Sequence, residues 1–381
     1  MSAAPFLTHP TPEESHESLV HNESEWRGPL STESYMRREA QLADQALTRN
    51  GGLQGWILAQ PASSGDGSRE QLCACETLRK RALVATPTAG VTESLCYGVA
   101  SVYCPAKNRG KGYPTRMIAE LAGHLDREGK AAFSVLYSDI GKKFYHKHGW
   151  RPFESSHVAL RPVEGQHVPE GVRLLKTEDV EGLCARDEGI IRRRLERLAE
   201  QGKTAVAIVP DIDTIRWQQA RESFVCNELY GKTPDIQGAL VKTPSGIDVW
   251  CLWTRWWYNA DLSNTKGNSM HILRLAVDDQ DYDDSAATTQ GVEHASKSEI
   301  TQAIATLLQA ARIDASKWSM ADVQIWNPSS ATLAAAQTLD SNAQVIHRDK
   351  DSIASLRLCD PKLSEAADSL IWTCNEKYAW C

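Results

Sequence analysis

The chain has 381 residues, a length that suits two domains better than one; 41% of them are hydrophobic and 24% charged, the balance of a globular protein with real cores. Its net charge of −7 gives no overall attraction to nucleic acid, so any basic site has to be local. No run approaches the roughly 20 apolar residues of a membrane span, and the start, Met1 to Pro10, lacks the basic and apolar regions of a secretory signal.

The ten cysteines contain no Cys-x-x-Cys pair, which argues against a metal site and for reduced thiols in a cytoplasmic protein. Residues 12–49 are rich in Glu, Arg and Ala and predict two helices, broken at Pro29-Leu30-Ser31-Thr32 with Ser31 as N-cap and stopped by Gly51-Gly52. Leu53–Gln60 and Leu72–Leu83 predict strands joined by a polar hairpin loop at 63–68. Leu95–Cys104 alternates, with Cys96, Gly98, Ala100 and Val102 on one face. A Gly-rich turn then leads into a helix from about Pro114 to Glu128, whose Met117, Ile118, Leu121 and Leu125 make an apolar stripe. Ala132–Tyr137 predicts a short buried strand, Ile140–His148 a short helix ended by Gly149, and Arg151–Arg161 a returning strand. This order describes a mixed α/β sheet in which a helix crosses over between parallel strands.

Prolines mark a boundary near 161–170 and divide the chain into 1–165 and 170–381. Beyond it the rhythm repeats. Strands are predicted at Thr204–Val209, Gly238–Lys242, Val249–Trp256, Met270–Val277, Val323–Asn327, Ser352–Leu358 and Leu370–Trp372, with helices at Lys297–Arg312 and Ser329–Leu339. The second half thus reads as another copy of the same architecture by element order, without residue identity.

The chemistry concentrates in Val102-Tyr-Cys-Pro-Ala-Lys-Asn-Arg-Gly-Lys-Gly-Tyr-Pro-Thr115. A Gly-rich turn from strand to helix aims free N–H groups one way, at the positive end of the helix dipole. Gly110 and Gly112 allow close backbone approach, and Lys107, Arg109 and Lys111 add charge, so the segment forms a phosphate cradle. It is neither a Walker loop nor a dinucleotide fingerprint; the rival reading is a basic surface turn.

Arg109-Gly-Lys-Gly-Tyr113 resembles the coenzyme A loop of the GNAT superfamily, and Leu136 to Trp150 resembles that superfamily's later strand–helix motif with its Phe-Tyr pair. Glu76–Lys80, Leu136–Gly141, Trp217–Glu222 and Asn375–Trp380 are similar to the fungal lysine N6-acetyltransferases of lysine catabolism and their relatives, a resemblance that runs along nearly the whole chain. It implies an α/β (α+β) GNAT fold, a mixed twisted sheet with flanking helices, in tandem with a second, degenerate GNAT-like domain that shapes the acceptor site. It also implies acetyl-CoA as co-substrate, held by Val102, Tyr103, Cys104, Arg109, Gly110, Lys111, Gly112, Tyr113 and Thr115, and a small-molecule primary amine, lysine or an analogue, as acceptor. Tyr145 is then the catalytic acid; packing between helix and sheet is the rival role for it. The loop departs from the superfamily at Pro114, which stands where Gly or Ala is usual and has no N–H to donate.

The base stays open. Residues 96–103 hold no carboxylate, and Gly98 falls near the position where some members of the superfamily carry Glu. Glu76, Glu93, Asp139 (also read as a helix N-cap), His271, a water relay and the terminal carboxylate of Cys381 are the candidates. In the second half the counterpart of the loop, Asp278 to Asp284, holds five aspartates and no glycine; it predicts no coenzyme A binding there and reads as a solvated loop. Trp250, Trp253, Trp256, Trp257 and Tyr258 alternate along one strand, with Trp250 and Trp256 on one face and Trp253 and Trp257 on the other; most are core and some can wall a substrate cavity. Pro114 and the missing strand carboxylate keep two other readings open. One is a fungal biosynthetic enzyme using another acyl group or reaction, and the other a non-catalytic ligand-binding protein.

Overall fold

The structure, a computed structural model, describes residues 4–62, 68–259, 261, 263–295 and 298–381; most of the hairpin loop expected at 63–68 lies outside them, as does Lys297. A short strand β1 (Phe6–Thr8) precedes helices α1 (Pro12–Trp26) and α2 (Thr32–Ala43). Thr11 closes a capping box with Glu14 at the first helix, and the Ser31 hydroxyl accepts the Ser34 N–H at the second, as the sequence predicts. Strands β2 (Leu53–Pro61), β3 (Arg69–Thr86) and β4 (Gly90–Tyr103) form an antiparallel meander. Helix α3 (Tyr113–Glu128) then crosses over to β5 (Phe133–Ser138), which lies parallel to β4. Met117, Ile118, Leu121 and Leu125 of α3 are each at most 1% exposed. Burying such side chains stabilises by about 1.5–3 kcal/mol apiece.

The helix expected over Ile140–His148 shrinks to α4 (Lys143–His146), capped by Lys142. Asp139 is therefore not its N-cap; its carboxylate accepts the Ser352 N–H at 2.8 Å. The strand expected over Arg151–Arg161 is two strands in two sheets, β6 (Arg151–Pro152) and β7 (Ser156–Leu160). Pro152 has no N–H with which to extend the ladder, and residues 153–155 carry the chain across, held where Phe153 N–H donates to Ala354 and the Ser155 hydroxyl accepts the Ala354 N–H.

The second half contains β8 (Arg173–Leu175), α5 (Thr177–Glu200), β9 (Ala205–Ile208), α6 (Ile212–Tyr230), β10 (Gly238–Lys242), β11 (Asp248–Trp256) and β12 (Ser269–Val277). After these come α7 (Thr289–Ala295), α8 (Glu299–Ser316), β13 (Asp322–Trp326), α9 (Ser330–Leu339), β14 (Ile346–His347), β15 (Ile353–Leu358) and β16 (Ile371–Trp372). Among the described residues the strands make a nine-stranded and a seven-stranded mixed sheet with flanking helices.

The two sheets repeat one order. In the first it is β2-β3-β4-β5-β15-β6, in the second β10-β11-β12-β13-β7-β14. Within that run each has one parallel step, β4 to β5 across α3 and β12 to β13 across α7 and α8. The fifth strand of each comes from the opposite half of the chain, so β7 and β15 are exchanged across the boundary near 165–170. Strands β9 and β16 also join the first sheet, through β3.

Candidate active site

In the first sheet β4 and β5 pair only from Cys96 to Gly98 and then part, which leaves a notch beside Val99–Tyr103 and Leu136–Ser138. In the second sheet β12 and β13 pair only from Ser269 to Ile272, but the chain fills that notch itself. The Glu376 carboxylate accepts the Leu275 N–H at 2.9 Å and pairs with Arg274, whose guanidinium also makes two 2.8 Å bonds to Asp187. One notch is open and the other is plugged.

The open notch leads into a cleft of about 1560 Å³ walled by both sheets. Of the residues that the coenzyme A resemblance singles out, Val102, Tyr103, Cys104 and Arg109 line it, and so does Pro114. Gly110, Lys111, Gly112, Tyr113 and Thr115 follow on the turn and the first turn of α3. The turn is anchored by the buried Asn108, whose amide donates to Leu72 O at 3.1 Å, and by Arg109 Nε, which donates to Cys104 O at 3.0 Å. Gly110 and Gly112 have φ of 75° and 80°, which suits residues without a Cβ, and a Cβ built on either would meet nothing within 4 Å. The N–H groups of Gly110, Lys111, Gly112 and Tyr113 donate to no described residue. This fits a phosphate-bearing ligand: alternating left-handed glycines, unpaired donors, a helix N-terminus and the cations Arg109 and Lys111. Lys107 contributes less, since it leans 3.8 Å from Glu70. Gly112 is the N-cap and Tyr113 the first helical residue, so Pro114 is the second.

Tyr145 and Phe144 line the same cleft, with their rings edge to face at 4.9 Å. Tyr145 is 7% exposed, and burial raises its phenol well above the ordinary tyrosine range. Among the candidate bases, Glu93 is 67% exposed and tied to Arg192 at 2.6 Å, outside the cleft. Glu76, Asp139, His271 and Cys381 all line it.

Glu76 stands opposite Ala100, beside a bulge in β4 where Ser101 adopts a φ of 51°. Such a bulge re-aims side chains. Burial raises the Glu76 carboxyl to about 7, opposed by the Ser101 hydroxyl and reinforced by the charge of Glu39. Gly98 carries no carboxylate because the last residues of the chain lie on it: a Cβ there would be 2.6 Å from the Cys381 sulfur. That terminal segment is pinned between the sheets. Lys80 Nζ donates to Ala379 O at 2.7 Å, Gln218 Nε2 to Trp380 O at 2.8 Å, and the Tyr378 hydroxyl to Ile208 O at 2.6 Å.

The aromatic run divides in part as the alternation predicts, but β11 ends at Trp256: Trp253 and Trp257 join the core of the second sheet, Trp250 packs into the core between the sheets, and Trp256, Trp257 and Tyr258 all line the cleft. Sequence reasoning missed Arg348, His157, Trp326 and Lys377 as cleft residues. Arg221 and Lys377 fall within the segments that carry the resemblance, a signal not converted into roles. The aspartate run is a partial correction: its ends dock on the arginines of α5, Asp278 on Arg186 and Arg193 and Asp284 on Arg194, while Asp281 and Asp283 between them are exposed as expected. No helix of the described residues is long and apolar enough to cross a membrane.

The chain is 24% identical to a lysine acetyltransferase of Yarrowia lipolytica over 66% of its own length and 72% of that protein's. It is 21% identical to an uncharacterized protein of Saccharomyces cerevisiae over 98% and 97% of the two chains. Among solved structures, the GCN5-related N-acetyltransferase of Kribbella flavida overlays 93% of this chain and 71% of its own, at 13% identity and a TM-score of 0.49. The family profile described as the LYC1 GNAT-like C-terminal domain matches residues 157–381, more than half of the chain, and the chain belongs to that family.

Proposed function

We propose that the protein transfers an acetyl group from acetyl-CoA to a primary amine of a small molecule, lysine or an analogue. The observation that carries this reading is the single cleft that joins the phosphate-type turn, the β4–β5 notch, Tyr145 and Glu76 to a floor built by the second sheet. The Yarrowia relative, a lysine acetyltransferase, supports the choice of acceptor. In this reading residues 1–165 hold the co-substrate and 170–381 shape the acceptor site, and the ten free thiols fit a cytoplasmic setting.

The N–H groups of residues 110–113, with Arg109 and Lys111, hold the pyrophosphate, and Val102–Cys104 run beside the pantetheine arm. Acetyl-CoA supplies the acyl group as a thioester. An alkyl ammonium has to lose a proton before it attacks, and Glu76, with its carboxyl near 7, is placed to take it. Tyr145 keeps its proton at every physiological pH and gives it to the departing sulfur.

The test is to incubate the purified chain with acetyl-CoA and a panel of amines, following free thiol and the acetylated product by mass spectrometry. Turnover with at least one small amine is expected. Calorimetry that detects no binding of acetyl-CoA would sink the proposal.

A further inference from the structure

Strands β4 and β5 pair as far as Gly98 and Val135 and part beyond them, so the notch is closed at that end. The phosphate-type turn follows the other end of β4, after Tyr103. A pantetheine arm that enters at the turn and runs back along the open edge brings its sulfur and acyl group to the closed end. The side chain standing over Gly98 there is Cys381, for a Cβ on Gly98 would meet its Sγ at 2.6 Å and its Cβ at 3.7 Å. Cys381 packs against an apolar cluster of Leu47, Leu78 and Ala100, with Leu53 and Trp217 at its margin. Lys80 and Gln218 hold the carbonyls of Ala379 and Trp380 at 2.7 and 2.8 Å, and the Trp380 ring lies 4.7 Å from that of Trp256. The thiol is thus fixed from behind and has no slack in which to retreat.

On the β5 side, Tyr137 is the next residue but one after Val135 and shares its face. It is 8% exposed, lies between Trp326 and Trp372, and lines the cleft. Its buried hydroxyl has no hydrogen-bond partner, although Cys381 is close enough for the two groups to feel each other's charge. A buried hydroxyl left unpaired is costly and describes a donor that meets its acceptor only when a ligand is bound. Burial raises the Cys381 thiol above the ordinary cysteine range, opposed by Lys80 and Lys377 and reinforced by Glu76, so it meets a ligand as a small neutral group. An apolar surface and an unpaired donor on one face at the closed end suit a short acyl group, with its oxygen toward the tyrosine and its carbon toward the thiol.

From this we infer that Cys381 limits the acyl group to acetyl, its side chain stopping the thioester at the closed end of the notch. The inference rests on the acyl-transfer reading and deepens it, because the phosphate-type turn touches only the part that all coenzyme A thioesters share. A longer chain either overlaps the thiol or turns out of the notch into the room that the attacking amine needs beside Glu76. Overfilling a packed site is unfavourable, and one methylene in an apolar pocket is worth about tenfold or more in kcat/KM. Gly98 and Cys381 divide one small volume between them, the missing Cβ of the first making place for the thiol of the second.

The experiment measures kcat/KM of the full chain for acetyl-, propanoyl- and butanoyl-CoA, with the amine of the panel above that turns over fastest. The wild type is expected to prefer acetyl-CoA to butanoyl-CoA by about a hundredfold, roughly tenfold for each added methylene. Cys381→Gly removes the thiol side chain, keeps the backbone and should bring that ratio down to about tenfold or less. Cys381→Ser fills nearly the same volume and should keep the preference. Equal use of acetyl-CoA and butanoyl-CoA by the wild type overturns the inference while acyl transfer stands, as does a preference that survives Cys381→Gly or is lost equally in Cys381→Ser. Calorimetry of the same thioesters without amine separates the two failures. If no amine turns over, yet the wild type binds acetyl-CoA about tenfold tighter than butanoyl-CoA and Cys381→Gly abolishes the difference, acyl transfer fails and the acyl stop stands. Equal binding without turnover removes both.

Discussion

Gly98 and Cys381 touch so closely that a Cβ on residue 98 would stand 2.6 Å from the Cys381 sulfur. Contact in place of a carboxylate at this point makes the end of the chain a wall of the site. Gly98→Ala should cost about 1 kcal/mol as an overpacking change, and Cys381→Gly should restore most of it. A double-mutant cycle by denaturant unfolding measures the coupling; additive costs would refute the contact.

In the proposed reaction Glu76 is the group expected to set the pH dependence. Its carboxyl is raised to about 7 by burial, with Ser101 opposing and Glu39 adding, so kcat/KM should climb through about pH 7 as it ionises. Glu76→Gln should flatten that limb and lower kcat by about a hundredfold. The stability effect has the opposite sense. A carboxyl with a raised folded value stabilises most below its unfolded value and loses that contribution as pH rises through 7, so the Gln variant should match or exceed the wild type in Tm at pH 8. Superimposable pH–rate profiles would remove Glu76 from the proton path.

Tyr145 lies against Phe144 and lines the cleft, so it is placed both to pack and to donate a proton. Tyr145→Phe keeps the packing and removes the hydroxyl. The expected result is a fall in kcat of about a hundredfold with the Kd for acetyl-CoA unaltered; full activity in the variant would assign the ring to packing alone.

Pro114 is a missing donor in an otherwise unpaired row of N–H groups. Pro114→Ala returns one, and a recovered neutral hydrogen bond of about 1 kcal/mol corresponds to roughly fivefold tighter coenzyme A binding. Calorimetry with coenzyme A reads this directly. Weaker binding would mean that the rigid first turn matters more than the donor.

His157 is held neutral, its imidazole pushed down to about 4 by burial and by Arg348. A depressed folded value means that its contribution to stability is present above about pH 6.5, the unfolded value, and is lost as pH falls towards 4. The wild-type Tm should therefore fall more steeply between pH 7 and pH 5 than that of His157→Gln, measured by thermal unfolding in matched buffers.

The first sheet was legible because its signals are local. Alternation marks β4, a 3.6-residue stripe marks α3, and two glycines mark the turn between them. Helix α6 was not, for polar Thr214, Gln218, Gln219 and Glu222 interrupt the Ile215, Val225 and Cys226 of its inward face, and the buried Glu222 pairs with Arg255 at 2.5 Å. A face so mixed leaves little apolar period to read. Helix α5 does carry one, Val180, Leu183, Cys184, Ile190 and Ile191, interrupted by the buried Asp187 and Arg194, whose partners lie some ninety residues away. The floor of the cleft was hidden for the same reason: Arg221, Arg348 and Lys377 come from three distant segments, and nothing short of the fold puts them on one indole stack.

The exchange of β7 and β15 also fixes the order of events during synthesis. The first sheet lacks the strand between β5 and β6 until residues 353–358 exist. A nascent chain therefore carries an incomplete sheet, with the edge of β5 unpaired, for most of its translation. Contacts so far apart in sequence slow folding and leave hydrophobic edges open to wrong partners. The far edge of β5, beside the open notch, thus waits for β15, and Lys377 and Trp380 of the aromatic floor are later still, so a truncated product ending before β15 would have the notch strands without their outer neighbour and a floor without these two residues.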